Sequence, residues 1–350
     1  MFTANGCSIG DITKNGPSTV DYGCKYVHRD RNVLVLNMYY PYFRSKQYEL
    51  TTIRELSLVL SASGFCPIIE PVREAFSGLD KTLKAIVETN GQAVVVVNPY
   101  HGDLSGMGPL TNQLKDKLAL PGVSAGILLK AKMSLDKATA LYETHASHTP
   151  VFIHAGFRDA RSLAERLGEL TKEQRHVFVE QYCGKLYQRH FQGATRILLR
   201  DGFNRQKRNV DYDFLDPFSD LHITFTDEGM EGFGDFLIVG DEYSESGGPA
   251  YAVVIHLTFI DPDQDNLMEI YHFKSLRRDT PQDPAGKFAE ALAVMMDTLN
   301  APGSKVLETE AIKEFRNLHS RRHFPGLGYI KKLSMNHHIE TLADYFTRVR

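Results

Sequence analysis

The stretch MYYPYFRSKQYELTTIREL, residues 38–56, joins a tyrosine-rich apolar run to a segment with helical spacing. The turn between them, FRSKQYE, carries Arg44, Lys46 and Glu49 and contains no glycine. A doubly wound open sheet normally has a glycine-rich phosphate loop after its first strand. The first strand–helix step therefore favours a TIM-type barrel, with the doubly wound sheet as the second choice.

The same alternation of strand and helix continues along the chain from this first step. Strand-like runs are predicted at residues 33–42, 65–70, 93–98, 123–129, 150–155, 176–181 and 195–200, with an eighth at 235–242. The runs are rich in Val and Ile and nearly continuous in apolar residues, as parallel strands buried on both faces require. Eight such steps predict an α/β fold, a (β/α)8-like barrel in one domain over residues 32–350.

The pattern changes after residue 200, where strand-like runs follow one another without helices. HITFTDEG, GDFLIVGDEY, YAVVIHLTFI and LMEIYHFKSL are predicted strands, and the last two should pair antiparallel across the turn DPDQDN. Helices are predicted at 284–299, 304–318 and 337–349, the first with Asp283 as N-cap and Pro284 at its first position. We therefore expect a β-hairpin elaboration and extra C-terminal helices.

The first 31 residues are rich in Gly, Asn, Ser and Thr and have no helical or strand periodicity. They offer few apolar anchors to offset the entropy of ordering, so a poorly ordered N-terminal extension is predicted. Apolar patterning begins just before Met38, and the sequence leaves open whether Met1 or Met38 is the biological start.

Composition narrows the class of protein. The 350 residues have a formal net charge of -3 and 42% hydrophobic content, which predicts a soluble globular protein and gives no indication of nucleic-acid binding. The sequence shows no membrane-length apolar run and no secretory signal, so a cytoplasmic location without membrane association is expected. No spacing such as HxH or HExxH indicates a metal, and the pattern specifies no cofactor.

Polar side chains close the apolar runs, and in a barrel the C-terminal strand ends converge on one mouth where active sites lie. A single residue of this kind is more often solvated or caps a helix, but the set is harder to explain that way. As catalytic candidates we take Lys46, Glu70, His154 and Asp201. As substrate-binding candidates we take Arg44, Glu49, Asn98, Lys130, Glu180, Arg200 and Asp235.

The residue types suggest specific roles. Lys46 beside Glu70 would form a charge-paired centre in which the lysine holds an anionic group or, if desolvated, acts as a base or Schiff-base former. Glu70 and Asp201 would act as general bases or hard-metal ligands, and His154 as an acid, a base or a ligand. We expect Lys46 within reach of Glu70, with Asn98 and His154 facing the same cavity.

The segments YYPYFRSKQYEL, PIIEPV and VVVNP resemble the opening of the bacterial and phage beta protein family, and GFGDFLIVGDEYSESGG and DPAGKFAEAL resemble later parts of it. The resemblance covers about residues 38–350. It supports the architecture and points to Lys46, Glu49, Glu70 and Asp235 without assigning a reaction. Relatives often belong to mobile or defence-associated gene sets, which implies a role in phage defence.

Three functions follow as hypotheses. The first is a barrel enzyme acting on a small phosphate- or carboxylate-bearing substrate at the mouth. The second is a non-catalytic protein of a phage-defence or phage-encoded system that senses a ligand or a partner protein. The third is a metal-dependent nuclease using Glu70, Asp201 and Asp235, which the acidic charge balance disfavours.

Overall fold

Eight parallel strands lie side by side in a sheet that curls into a nearly closed barrel. The computed structural model describes residues 38–245 and 251–349, so the predicted extension at 1–31 lies outside the described residues. The TIM-type α/β fold expected from the sequence is confirmed. The barrel strands, in spatial order, are β1 (Tyr42–Phe43), β2 (Ile68–Ile69), β3 (Ala93–Val96), β4 (Val123–Lys130), β5 (Val151–Ala155), β6 (Arg175–Val179), β7 (Thr195–Leu199) and β9 (Gly232–Gly234).

The barrel closes where β1 meets β9. The amide of Tyr40 donates to the carbonyl of Phe233 at 2.8 Å, and the amide of Tyr42 donates to that of Asp235 at 2.9 Å. A Cβ on Gly234 would overlap the carbonyl oxygen of Tyr40, so only glycine allows this approach. The prediction of the eighth strand at 235–242 was wrong, because the strand ends at Gly234 and Leu237, with φ of 51°, turns the chain into a single 3-10 turn.

Helices pack around the outside of the barrel and connect its strands. Three residues of the predicted strand HITFTDEG, His222–Thr224, belong to a helix instead, because Leu221 and His222 bury one side of a single turn while Ile223 remains exposed. The helices in this part of the chain are α1 (Gln47–Glu55), α2 (Ser57–Ser63), α3 (Ser77–Glu88), α4 (Thr111–Leu118), α5 (Leu135–His145), α6 (Ala160–Leu167), α7 (Leu170–Glu173), α8 (Lys185–Gln188) and α9 (Leu221–Thr224).

A second, antiparallel sheet takes one strand from before the last barrel strand and two from after it. It has the order β10 (Val254–Asp261), β11 (Leu267–Lys274) and β8 (Leu215–Ser219), so the predicted pairing of YAVVIHLTFI with LMEIYHFKSL is confirmed. Three helices complete the described chain: α10 (Pro284–Asn300), α11 (Glu310–Ser320) and α12 (Leu327–Val349). Asp283 caps α10 as expected, since its side chain accepts a hydrogen bond from the amide of Gly286 at 2.9 Å.

Alternate residues of each barrel strand face opposite layers of the core. One set packs inside the barrel, and the other, including Phe152 and Phe178, packs against the helices. The alternation decides which strand-end side chains reach the mouth. The residues of the interior cluster are Tyr40, Tyr42, Cys66, Ile68, Val94, Val96, Leu128, Val151, Ile153, Ala155, Val177, Val179, Ile197, Leu199 and Phe236.

Candidate functional site

A small pocket opens at the C-terminal ends of the barrel strands, with about 260 Å³ of empty volume. Part of this space is open solvent at the barrel mouth. Its apolar floor consists of interior-cluster residues, and its polar wall comes from several strand ends and loops. We call it the mouth pocket, and it is lined by Tyr42, Arg44, His101, Leu128, Lys130, Ala155, Val179, Tyr182, Phe236 and Asp241.

Glu70 lies beneath this pocket with no exposed surface. It follows Cys66 and Ile68 on the interior face of β2, so the alternation directs it inward. Its carboxylate accepts hydrogen bonds from the hydroxyl of Tyr42 at 2.9 Å and from the amide of Tyr100 at 2.7 Å. Burial opposes ionisation, but hydrogen bonds from His101 and Tyr100 and the charge of Arg44 hold the pKa of Glu70 below its ordinary value.

His101 is paired with this buried carboxylate. Its Nδ1 lies 3.0 and 3.1 Å from the two oxygens of Glu70. An ionised carboxylate only accepts, so Nδ1 carries the proton and a neutral ring has its lone pair on Nε2. In the ranges that the structure describes, Nε2 has no hydrogen-bond partner, and the residue lines the mouth pocket. The Glu70–His101 pair is therefore arranged as a general base.

Arg44 brings a buried guanidinium to the pocket wall. It donates to the carbonyls of Gly240 at 3.2 Å and Asp241 at 2.6 Å and pairs with the Asp241 carboxylate. Its Nε is buried without a hydrogen-bond partner, with the nearest Glu70 oxygen at 3.8 Å. Three of the five N–H groups of Arg44 are thus occupied, which leaves donors for an anionic ligand.

Lys130 ends β4 on the interior face, two residues after Leu128. Its Nζ lies 4.5 Å from the ring centroid of Tyr100 and 5.6 Å from that of Tyr182. Among the described residues no carboxylate lies within 4 Å of this Nζ. Burial lowers the pKa of Lys130 below that of an ordinary lysine.

Lys46 does not form the expected ion pair with Glu70. Its ammonium donates to the carbonyl of Ser244 and lies 4.7 Å from the ring centroid of Tyr243. Lys46 is the N-cap residue of α1 and lies beyond the end of β1. Its side chain therefore reaches Tyr243 and Ser244 instead of the barrel interior.

Residues 240–245, which we call the mouth segment, are held by cations from two directions. Arg44 and Lys46 bind its carbonyls from the first strand–helix turn, and Arg205 donates to the carbonyl of Glu242 at 2.9 Å. The segment places Tyr243 with its ring centroid 4.9 Å from that of His101. Lys46 therefore contributes to the site by fixing part of its wall.

Glu49 and Asn98, both expected to bind substrate, are occupied by backbone groups. Glu49 is the third residue of α1, and its carboxylate accepts from the amides of Arg44 at 2.6 Å and Lys46 at 3.5 Å. The side-chain amide of Asn98 bridges to Leu128 on the next strand, donating at 2.8 Å and accepting at 2.9 Å. Both residues shape the mouth, and neither presents a free polar group to it.

His154 faces away from the mouth, contrary to expectation. It follows Phe152 on the helix-facing side of β5, while its neighbour Ala155 lines the pocket. Its Nδ1 lies 2.7 Å from the hydroxyl of Tyr187, and its Nε2 lies 2.9 Å from Nδ1 of His176. Burial, together with the neighbouring His176, lowers the pKa of His154 well below the ordinary value. The residue is part of the packing between sheet and helices.

Glu180, Arg200 and Asp201 also act within the protein itself. Arg200 donates to both oxygens of Glu180, at 2.7 and 2.9 Å, and to Asp220 at 2.7 Å. Asp201 accepts from the amide of Asp241 at 2.7 Å, which anchors the mouth segment. The expected substrate-binding role of Glu180 and Arg200 is not supported, because their charged groups satisfy each other outside the pocket.

Asp235 likewise lies outside the mouth pocket. It accepts from the hydroxyl of Tyr39 at 2.8 Å and lies 3.1 Å from Nε2 of His338 on α12. His338 contacts the hydroxyl of Thr258 on β10 through its other nitrogen, at 3.0 Å. Asp235 thus joins the barrel closure to α12 and the second sheet.

Three polar pocket residues were missed by the sequence reasoning: Tyr42, His101 and Tyr182. His101 and Tyr182 lie beyond the strands, in connections whose path no periodic pattern predicts. A usable signal was present in VVVNPYHG, since a histidine three residues after the strand-end Asn98 falls in a loop at the barrel mouth.

A larger and more open groove, with about 770 Å³ of empty volume, runs along the second sheet. Its charges are already paired, because Lys305 binds Asp261 and lies 2.9 Å from Asp263. We therefore take the mouth pocket, with its unpaired lysine and oriented histidine, as the candidate site.

No protein-family model matches the chain, and a search of the curated proteins gives no significant match. Similarity to the beta protein family stays a prediction. Over residues 38–245 and 251–349, no group of three or more His, Cys, Asp or Glu side chains is placed to hold a metal ion. No helix in these ranges is long and apolar enough to span a membrane.

Proposed function

We propose that the protein is an enzyme that performs general acid–base chemistry on a small phosphate- or carboxylate-bearing substrate at the mouth pocket. The observation that carries this proposal is the hydrogen bond between fully buried Glu70 and Nδ1 of His101. It fixes the ring orientation and leaves Nε2 to take a proton from a bound molecule. The carboxylate also stabilises the imidazolium that forms, because it lies in a poorly solvated place.

Positive charge at the same pocket favours an anionic substrate. Lys130 has no carboxylate partner among the described residues, and Arg44 retains a buried Nε–H without an acceptor. An anion bound at the pocket would lie in the field of both cations, which favours its binding.

The nuclease hypothesis has little geometric support. Glu70 is committed to His101 and Tyr42, Asp201 to backbone amides, and Asp235 to Tyr39 and His338. The three carboxylates do not converge on one point. A non-catalytic sensor would use the same pocket, and turnover separates it from an enzyme.

The test compares the intact protein with His101→Gln, using His190→Gln at an exposed position as the matched control. Each protein is incubated with a mixture of small phosphates and carboxylates, and depletion is followed by mass spectrometry. We expect the wild type and the control to consume the same compound, and His101→Gln to be slower by about 10²-fold or more.

Two results would overturn the proposal. Equal turnover by His101→Gln would remove the base from the mechanism. Thermal stabilisation by one of the compounds without any consumption would identify a binding protein instead of an enzyme.

A further inference from the structure

Lys130 differs from the other cations around the mouth. Arg44 pairs with Asp241, and Lys46 binds the carbonyl of Ser244. Lys130 is half-buried and instead extends between the rings of Tyr100 and Tyr182, with no carboxylate of the described residues within 4 Å. Such a lysine is held in place by packing while its nitrogen stays available.

The lysine and the proposed base share one small pocket. Lys130 and His101 both line it, and Tyr100 contacts both, with its ring centroid 5.2 Å from that of His101. A substrate whose carbonyl carbon is bound near Lys130 would therefore have a proton acceptor, His101, in the same pocket. Arg44 lies in the same wall, and one N–H of its Nη1 has no acceptor among the described residues.

We infer that Lys130 is a nucleophile that forms an imine with a compact carbonyl substrate whose adjacent carboxylate binds Arg44, that is, a 2-oxo acid. The inference rests on the proposed function and specifies its substrate class. A 2-oxo acid places a carbonyl and a carboxylate on neighbouring carbons, which matches a pocket that offers an amine and a guanidinium in little space.

The step balances without an oxidant or reductant. Neutral Nζ of Lys130 attacks the carbonyl carbon, and His101 takes the ammonium proton and returns it to the former carbonyl oxygen. A second proton, which His101 takes up from solvent, converts the resulting hydroxyl to water, and this water leaves as the nitrogen lone pair forms the C=N bond of a protonated imine. The protonated imine then draws electrons from the neighbouring carbon, so His101 can remove a proton there. The lowered pKa of Lys130 supports this role, since it increases the neutral amine fraction near neutral pH.

The experiment traps the imine by reduction. The full-length protein is incubated with pyruvate and cyanoborohydride near neutral pH, and the reduced adduct is located by peptide mass spectrometry. We expect labelling of Lys130 to exceed that of the average lysine by about tenfold. Lys132→Arg, at an exposed position, should retain the adduct, Lys130→Arg should lose it, and labelling in urea should become uniform.

Acetone in place of pyruvate tests the carboxylate requirement. Weaker labelling of Lys130 by acetone supports an anchoring role for Arg44, and equal labelling overturns the 2-oxo acid class. Absence of any Lys130 adduct overturns the imine, while consumption of another anion that depends on His101 would leave the proposed function standing. If the Lys130 adduct forms but no compound is consumed, the imine inference stands and the proposed enzymatic function is overturned.

Discussion

Glu70 is fully buried at the site, yet its carboxylate stays ionised. Its carboxylate is surrounded by donors from Tyr42, Tyr100 and His101, with Arg44 nearby. Each donor replaces a water that burial removed. The same arrangement that orients His101 therefore also contributes to folding.

Replacing Glu70 by Gln should lower the free energy of unfolding by about 2–3 kcal/mol at pH 7, because an amide cannot accept from every donor that the carboxylate satisfies. The folded-state pKa of Glu70 lies below the ordinary 4.5. Its charge therefore stabilises the fold above pH 4.5, and this contribution is lost as the pH falls through the folded pKa. Urea unfolding should show the difference between the two proteins narrowing below pH 4.5.

The control for this measurement is Glu88→Gln on the exposed end of α3, which should change the unfolding free energy by less than about 0.5 kcal/mol. A difference between wild type and Glu70→Gln that stayed constant from neutral to acidic pH would contradict the account of the charge.

His176 makes a second pH prediction, with its own sign. Burial lowers its pKa from 6.5 to about 4. Between these two pH values His176 is protonated in the unfolded chain but neutral in the folded protein. The free energy of unfolding therefore falls as the pH drops from 6.5 towards 4. One such group contributes a slope of up to about 1.4 kcal/mol per pH unit. His176→Gln should reduce the loss of unfolding free energy between pH 6.5 and 5 by about 2 kcal/mol.

Exposed His190→Gln is the matched control and should keep the wild-type pH dependence. An unchanged slope in His176→Gln would mean that His176 does not stay neutral in the folded protein.

The sequence predicted some site residues and misassigned others for one physical reason. A polar residue after an apolar run marks the strand end, but alternation decides the layer that it faces. Glu70 and Lys130 share the interior side with Ile68 and Leu128, whereas His154 shares the helix side with Phe152. Both layers are apolar here, so the sequence does not show which set of alternate strand residues faces the barrel interior and which set faces the helices.

Among the elements, the turn from β1 into α1 combines strain with capping. Ser45 has φ of 46°, a left-handed conformation that costs a non-glycine residue energy. Its hydroxyl accepts from the amide of Val72 at 3.0 Å, and Glu49 accepts from the amides on either side of it. The turn is therefore held from two sides, which positions Arg44 inward and Lys46 towards the mouth segment.

Glu49→Ala should lower the free energy of unfolding by about 1–2 kcal/mol, since it leaves the buried amide of Arg44 without its acceptor. Chemical denaturation would measure the loss, with Glu88→Ala as a control that removes an exposed glutamate. If both substitutions had equally small effects, Glu49 would not be the residue that holds the turn.

Elements with a clear local signal were predicted, and those fixed by tertiary contacts were not. Local sequence specifies the start of α10, at Asp283-Pro284, and the turn between β10 and β11. Strand β8 has no such signal, because LDPFS is a strand only where it pairs with β11. Strand β9 depends on Gly234 meeting β1, a contact between distant parts of the chain.

At the scale of the whole molecule, the closure of the ring depends on that glycine. A Cβ on Gly234 would overlap the carbonyl of Tyr40 and lie 2.9 Å from a methyl of Leu199. Gly234→Ala should therefore lower the free energy of unfolding by about 1–3 kcal/mol or more, measured by urea unfolding. Gly184→Ala, where a Cβ meets nothing within 4 Å, is the control and should be nearly neutral. Similar values for the two would show that the closure tolerates a side chain.

The link from Tyr39 through Asp235 to His338 has a consequence for the chain as it is made. About 300 residues separate Tyr39 from His338, and a ribosome adding about 5–20 residues per second needs about 15–60 s to cover that distance. Strand β9 follows β1 by about 190 residues, so the edge of β1 has no partner for about the first two-thirds of that interval, and α12 is made only at its end. An unpaired strand edge readily joins other chains. Among the barrel strands, the first therefore waits longest for its partner, and we expect its edge to be where association with another chain competes with closure.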